Sequence, residues 1–341
     1  RRGSGDDARQ WGRMFPDGRS SFFLAMNQNK LGITVDLRDP DDRAWLRAYC
    51  AREADVVIQN MRPGKIDALG LGPTDLIAEN DRLIYCNMGA FGNVGPFKER
   101  AGYDPLMQAF SGLMSFTGES ERPPIRVGVS IIDMGTGMWC AIGILCALLR
   151  RATTDKGCVI DASLYETALS WVTNQATTVQ VDGREAEKQG SGARGIAPYQ
   201  AYQCSDGFMI VAAPNDRLFK TLCEVLAHPE WAKDARFASN QLRYTNLAEL
   251  NALIEPELAA RSRADWQNRL DTAGLPNAPV QGLLEMMAHA QTEALGILSR
   301  INADEPRMMG IPLSFNGERP KIRAMAPALG EHNVLIKGEP S

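Results

Sequence analysis

Short apolar runs alternate with amphipathic stretches through the first half of the chain. GITVDL, 32–37, has strand character. Asp39 and Pro40 then open DPDDRAWLRAYCAREA as a helix, with acid and proline at its start and apolar residues at helical spacing. ADVVIQN, 54–60, predicts a short buried strand, broken by Pro63 and Gly64. RLIYCNMGAFG, 82–92, predicts another, ending in glycines, and 105–113 predicts a helix. VGVSIID, 127–133, reads as a β-branched strand. The stretch 137–151 reads as an apolar, buried helix whose last turn carries Arg150 and Arg151, complementing its dipole. CVIDASL, 158–164, is strand again, and 165–179 helix. This alternation predicts an α/β fold with a mostly parallel sheet.

The texture changes near residue 180. Residues 182–195 are charged and glycine-rich, a linker pattern. Runs at 199–204 and 208–212, separated by Ser205-Asp206-Gly207, predict a hairpin. Helical patterns follow at 218–226, 248–260 and 264–273, and LPNAPV, 275–280, closes the region with two prolines. These divide the chain into a large domain at 1–185, a smaller α+β domain at 190–290, and a tail of short strands and turns at 291–341.

Composition narrows the function classes. Of the 341 residues 44% are hydrophobic and 23% charged, an ordinary balance for a globular protein. A net charge of -4 supplies no basic field, so no nucleic-acid partner is expected. Seven cysteines are an odd number with no CxxC pair, which predicts free thiols and a cytoplasmic protein, without a disulfide framework or a zinc site. The longest apolar stretch, 138–149, is too short to span a bilayer, so no membrane partner is expected. The first residues, RRGSGDDARQWGRMFPDGRSS, lack an initiator Met and read as a loop, so further residues are expected upstream.

Candidate chemistry is sparse. GSGARG, 190–195, matches GxGxxG, but a charged stretch precedes it and no helix pattern follows, so it reads as a flexible glycine loop. No P-loop motif is present. His228, His289 and His332 have no metal-ligand spacing, so no metal is expected. Asp133 stands between a strand pattern and an apolar helix, at the end of a sheet where ligands collect. The commoner reading of an aspartate in this place is a helix N-cap. The two readings are compatible, because a helix N-terminus favours the ionised, nucleophilic carboxylate. Gly135 and Gly137 would leave bare backbone beside it for close approach of a ligand. Arg1, Arg2, Lys30, Arg38, Arg62 and Lys98 occupy loops or strand ends and suit either solvated charge or a phosphate site.

Several motifs occur in register: RRGSGDD, NQNKLGITVDLRDP, ADVVIQNMRPGKIDALGLG, GYDPLMQAFSGLMSFTG, VGVSIIDMGTGMW and APALGEH. Together they resemble the family III CoA-transferases, which include formyl-CoA and carnitine CoA-transferases and the related 2-methylacyl-CoA racemases. The resemblance implies a Rossmann-like large domain built from both chain ends, a small domain between them, and an interlocked homodimer. It implies that Asp133 is the nucleophile. Arg1 and Arg38 would meet the CoA nucleotide, Asn60, Met61 and Arg62 would line the CoA channel, and Tyr103 would lie near the acyl group. At Met61 the family more often has Phe. Gly190 and Gly192 would match a glycine loop that shields the intermediate. Relatives carry a strand, helix and strand before RRGSGD, on the order of thirty to forty residues or one βαβ unit.

The implied reaction needs no metal and no permanently bound cofactor, since coenzyme A and its esters are substrates. Asp133 would form a mixed anhydride and then an aspartyl-CoA thioester, splitting one hard step into easier ones. Glycines near Asp133 and in 190–195 would supply N–H donors to developing oxyanions. One alternative is a racemase, which needs an acid/base pair. Tyr103 stands where such enzymes carry histidine, and tyrosine, with a pKa of about 10, is a poor base. A second alternative is a non-catalytic CoA-binding subunit.

Overall fold

The computed structural model describes residues 3–338, so Arg1, Arg2 and their expected CoA contacts lie outside the described residues. The chain begins with α1 (Ser21–Met26) and α2 (Pro40–Glu53). The order then runs β1 (Val56–Gln59), α3 (Pro73–Glu79), β2 (Ile84–Gly89), α4 (Asp104–Phe110), α5 (Ile131–Thr154), β3 (Cys158–Ser163), α6 (Leu164–Trp171) and α7 (Thr173–Asp182). Strands β1, β2 and β3 form a parallel sheet in that order, with Val56 beside Ile84 and Ile84 beside Cys158. Leu83, Ile84, Tyr85 and Cys86 are wholly buried, as the central strand of a sheet covered on both faces should be. The start of α2 follows its sequence signal: the Asp39 side chain accepts the Asp41 amide and Pro40 opens the helix.

The second half holds β4 (Tyr199–Cys204), β5 (Gly207–Ala212), α8 (Asp216–Val225), α9 (Asn240–Thr245), α10 (Leu247–Ala259), α11 (Arg263–Thr272) and β6 (Asn277–Pro279). The expected hairpin is present as β4–β5. The segment 275–280 is more than a closing loop, because β6 pairs antiparallel with β5. Its prolines are tolerated because β6 is an edge strand. This sheet and its helices enclose a core of their own, including Tyr202, Met209, Phe219, Leu222, Leu250 and Leu270. Separate clusters around Leu83 and around Ile132 serve the first sheet.

The tail contains α12 (Leu283–Ala288), α13 (Ala290–Ala294), β7 (Leu298–Ser299), β8 (Met308–Met309) and α14 (Asn333–Lys337). Its last helix bonds to residues near the start of the chain. Gly32 N–H donates to His332 Nδ1 at 3.1 Å, Thr34 N–H donates to Asn333 Oδ1 at 2.9 Å, and Lys337 Nζ meets Asp42 Oδ1 at 3.0 Å. These bonds correct the expected strand at 32–37. The segment belongs to no ladder; side chains of the tail accept the Gly32 and Thr34 amides, and Asp42 Oδ2 accepts the Asp36 amide at 2.7 Å.

Three further expectations are corrected. Residues 127–130 form no strand, and α5 starts at Ile131 rather than near Gly137. The helix expected at 165–179 is divided at Val172 into α6 and α7. Finally, α5 is not a buried helix. Its 24 residues, only 28% buried over the most apolar stretch, are long and apolar enough by length and composition to cross a membrane. One face, with Ile132, Thr136, Cys140 and Ala147, is buried, and the helix packs on β2, β3 and α6. The other exposes Met134, Met138, Trp139, Ile142, Leu145 and Leu149.

Candidate active site

A helix leaves its first four N–H groups without partners inside the helix. In α5 the amides of Ile131, Ile132 and Asp133 all find partners outside the helix ladder. Ile131 donates to Val129 O, and the helix's own ladder starts with Met134 donating to Ser130 O. Ile132 and Asp133 both donate to one carboxylate oxygen, Asp104 Oδ2, at 2.7 and 3.2 Å. Asp104 opens α4 and is only 1% exposed. Its other oxygen accepts Gln108 Nε2 at 2.5 Å, and Gln108 Oε1 accepts the Val127 amide at 2.9 Å. This network explains why α5 begins at Ile131. The cap comes from α4, 28 residues upstream of Ile132, and the Ser130 side chain makes no cap bond.

Asp133 is therefore not the N-cap. It occupies the first turn of α5 with its side chain exposed. The expectation that the helix end would favour its charged form is also corrected. Its pKa is raised, first by loss of water around the carboxyl group and second by the Asp104 charge. The anion that occupies the helix N-terminus is Asp104. Tyr103, immediately before Asp104, stands at the N-cap position of α4 without a side-chain cap bond and is 70% exposed.

The glycines behave differently from expectation. Gly135 is buried, and a Cβ there would stand 2.9 Å from two indole atoms of Trp171. It serves helix packing rather than ligand approach. A Cβ on Gly137 would meet nothing within 4 Å, so the open backbone lies there. In the glycine loop, Gly190 adopts φ +58° and its amide donates to Gly118 O at 2.8 Å. The Gly192 amide donates to Gln189 O at 2.8 Å, and Lys188 Nζ donates to Arg122 O. The loop is thus tied to the turn that follows α4. In this conformation, however, the amides of Gly190 and Gly192 are not presented as oxyanion donors. The GxGxxG match neither follows a strand nor opens a helix.

The expected CoA channel begins at the carboxyl end of β1. Asn60 and Arg62 are exposed, and the Met61 amide donates to Gln59 Oε1 at 2.7 Å. Gln59 Nε2 donates to Asn87 Oδ1 at 2.7 Å, and Asn87 Nδ2 to Asp161 Oδ1 at 2.8 Å, so a polar ladder crosses the three strands. A cavity of about 270 Å³ opens there, lined by Gln59, Met61, Gly64, Asn87 and Lys98. Sequence reading missed Gln59, Asn87 and Asp161. Their signal was a polar residue near the end of each of three otherwise apolar strands. Arg38 lies 92% exposed, and Asp36 holds its guanidinium through bonds of 3.0 and 2.8 Å. Lys30 instead borders a larger cavity of about 590 Å³, with Arg9, Phe23, Pro327 and His332.

The histidines are accounted for locally. His228 pairs with Glu230 and stacks on Trp231, His289 Nδ1 accepts the Gln291 amide, and His332 binds the 32–37 segment. Among the described residues no group of three or more metal-ligating side chains assembles.

The sequence pattern of CoA-transferase family III matches residues 1–333. Mouse succinyl-CoA:glutarate CoA-transferase (Mus musculus) is 32% identical over 99% of this chain and 78% of its own length. Acetyl-CoA:oxalate CoA-transferase of Acetobacter aceti is 34% identical over 99% of this chain and 86% of its own. The crystal structure of a CAIB/BAIF family protein from Brucella suis superposes with a TM-score of 0.88 at 37% identity, covering 98% of this chain and 89% of that one. The chain belongs to CoA-transferase family III and is a CoA-transferase.

Proposed function

We propose that this enzyme moves coenzyme A from an acyl-CoA donor to a dicarboxylic acid through covalent intermediates on Asp133. The observation that carries the reading is the placement of Asp133. It lies in the first turn of α5, whose backbone is pinned by Asp104, and its carboxyl group is partly withdrawn from water. A raised pKa makes the ionised carboxylate a stronger nucleophile than an ordinary aspartate. The choice of dicarboxylic acids follows the relatives named for glutarate and oxalate.

In the reaction, Asp133 attacks the thioester carbonyl and CoA leaves as thiolate, giving a mixed anhydride. The thiolate then attacks the aspartyl carbonyl and releases the donor acid, leaving an aspartyl-CoA thioester. The acceptor carboxylate runs both steps in reverse. One thioester replaces another, so no external energy source is consumed. Met61, Asn60, Arg62 and the cavity at the end of β1 receive the pantetheine arm, and Arg38 receives phosphate. The 190–195 loop shields the anhydride from water once it turns its amides away from Gly118 and Gln189.

The enzyme works as a homodimer of Rossmann-like lobes (1–185 with 291–341), each carrying a 190–290 α+β domain. The uncovered apolar face of α5 is the surface offered to the second copy. Seven free cysteines fit the reducing cytoplasm.

The test is a donor and acceptor screen in deuterated water using Asp133→Ala as control. CoA transfer to dicarboxylates, abolished by the substitution and without deuterium entering the acyl α-position, is the expected result. Rapid α-exchange without transfer would show racemase chemistry and overturn the proposal.

A further inference from the structure

The two-amide grip of Asp104 on the start of α5 has a chemical consequence. Ordinary helix capping is done by a neighbouring side chain within the same turn. Here the cap is a carboxylate from another helix, almost completely buried, and its second amide partner belongs to the residue that reacts. Gln108 occupies the remaining oxygen of Asp104, so the carboxylate cannot swing away from α5 without losing a third bond. A neutral acceptor, such as an asparagine or serine oxygen, would satisfy the same two amides.

We propose that Asp104 is a positioning residue whose negative charge drives Asp133 toward its acylated states. This rests on the reading of Asp133 as the nucleophile and deepens it. When Asp133 attacks a thioester, its negative charge leaves with the CoA thiolate. When the thiolate returns, that charge departs with the released acid. In the anhydride and in the thioester Asp133 is neutral, so the repulsion from Asp104 acts only on the free carboxylate. Asp104 therefore disfavours the resting enzyme relative to both covalent intermediates. The raised pKa of Asp133, to which Asp104 contributes, is the same repulsion seen through a proton instead of an acyl group. No additional reactant is needed, because Asp104 makes and breaks no bond in these steps.

The experiment uses the full chain, succinyl-CoA as probe, and Asp104→Asn, which keeps an acceptor oxygen for both amides. Peptide mapping of the wild-type adduct comes first. A thioester on Asp133 supports the nucleophile reading, and an adduct on another residue overturns both proposals. In Asp104→Asn the fraction of enzyme held as thioester, at a fixed ratio of succinyl-CoA to succinate, should fall several-fold. The acidic limb of single-turnover thioester formation should move to lower pH. KM for the CoA ester should stay within about twofold, since uniform binding is untouched. A folded Asp104→Asn enzyme with unchanged thioester fraction and unchanged limb overturns the proposal while leaving Asp133 as nucleophile. Should that variant not fold, Asp104→Ser, which also offers a neutral acceptor, decides in its place. An acidic limb in Asp104→Ser below that of the wild type supports the proposal, and an unshifted limb overturns it.

Discussion

The indole of Trp171 lies against Gly135 so closely that a Cβ would stand 2.9 Å from its Cζ2 and Nε1 atoms. That contact sets how near α6 comes to α5 two residues beyond Asp133, beside a Thr136–Thr167 hydroxyl bond of 2.9 Å. Gly135→Ala should cost about 1–3 kcal/mol through overpacking. Because the displaced turn carries Asp133, kcat should fall as well. Gly137→Ala, two residues on and facing open space, should be neutral or stabilising by about 0.5–1 kcal/mol. Urea unfolding of the two variants checks the contrast.

Asp133 should cost the protein stability in return for reactivity. Its folded pKa is raised, so between the unfolded and folded values the native state binds more protons than the unfolded one. Stability from this group is full below the unfolded pKa and declines as pH rises through the folded pKa. Asp133→Asn removes the penalty. The variant should melt at most a few degrees higher than wild type near neutral pH, and the gap should close in acid. Thermal melts across pH measure this. A variant less stable than wild type near neutral pH would contradict the assigned origin of the shift.

Arg38 reaches solvent already paired with Asp36. Arg38→Ala should raise KM for CoA esters with little change in kcat, and it should leave short pantetheine esters unaffected. Asp36→Asn frees the guanidinium and should lower KM for CoA esters modestly. Steady-state kinetics with both ester types separates a phosphate contact from general surface charge.

The uncovered apolar face of α5 leads to an expected change in assembly. Sedimentation should show a homodimer. Leu145→Glu, on the exposed side of α5, should shift it toward monomer. An unaltered sedimentation profile in that variant would place the interface elsewhere.

Much of this was legible in the sequence because it is written in local rules. The Asp39-Pro40 helix start, the β4–β5 hairpin and the parallel strands follow from capping, turn and periodicity signals that a few neighbouring residues carry. What failed depended on residues far away in the chain. The segment 32–37 looks like a strand, but its partners are His332 and Asn333, about 300 positions on. The start of α5 was displaced because its cap is Asp104, which no local pattern around Ser130 reveals. Gly135 and Gly137 are indistinguishable in sequence, and only the position of Trp171 separates a packing glycine from an open one. Asp133 itself was legible as a candidate, though its helix position and the direction of its pKa shift required Asp104.

The most direct test of Asp133 as the covalent centre is hydroxylamine trapping during turnover, followed by peptide mapping. Enzyme mixed with succinyl-CoA and hydroxylamine should lose activity only while turning over. The modification should be a hydroxamate confined to the peptide carrying Asp133. Modification of a different residue, or full transfer activity in Asp133→Ala, would contradict it.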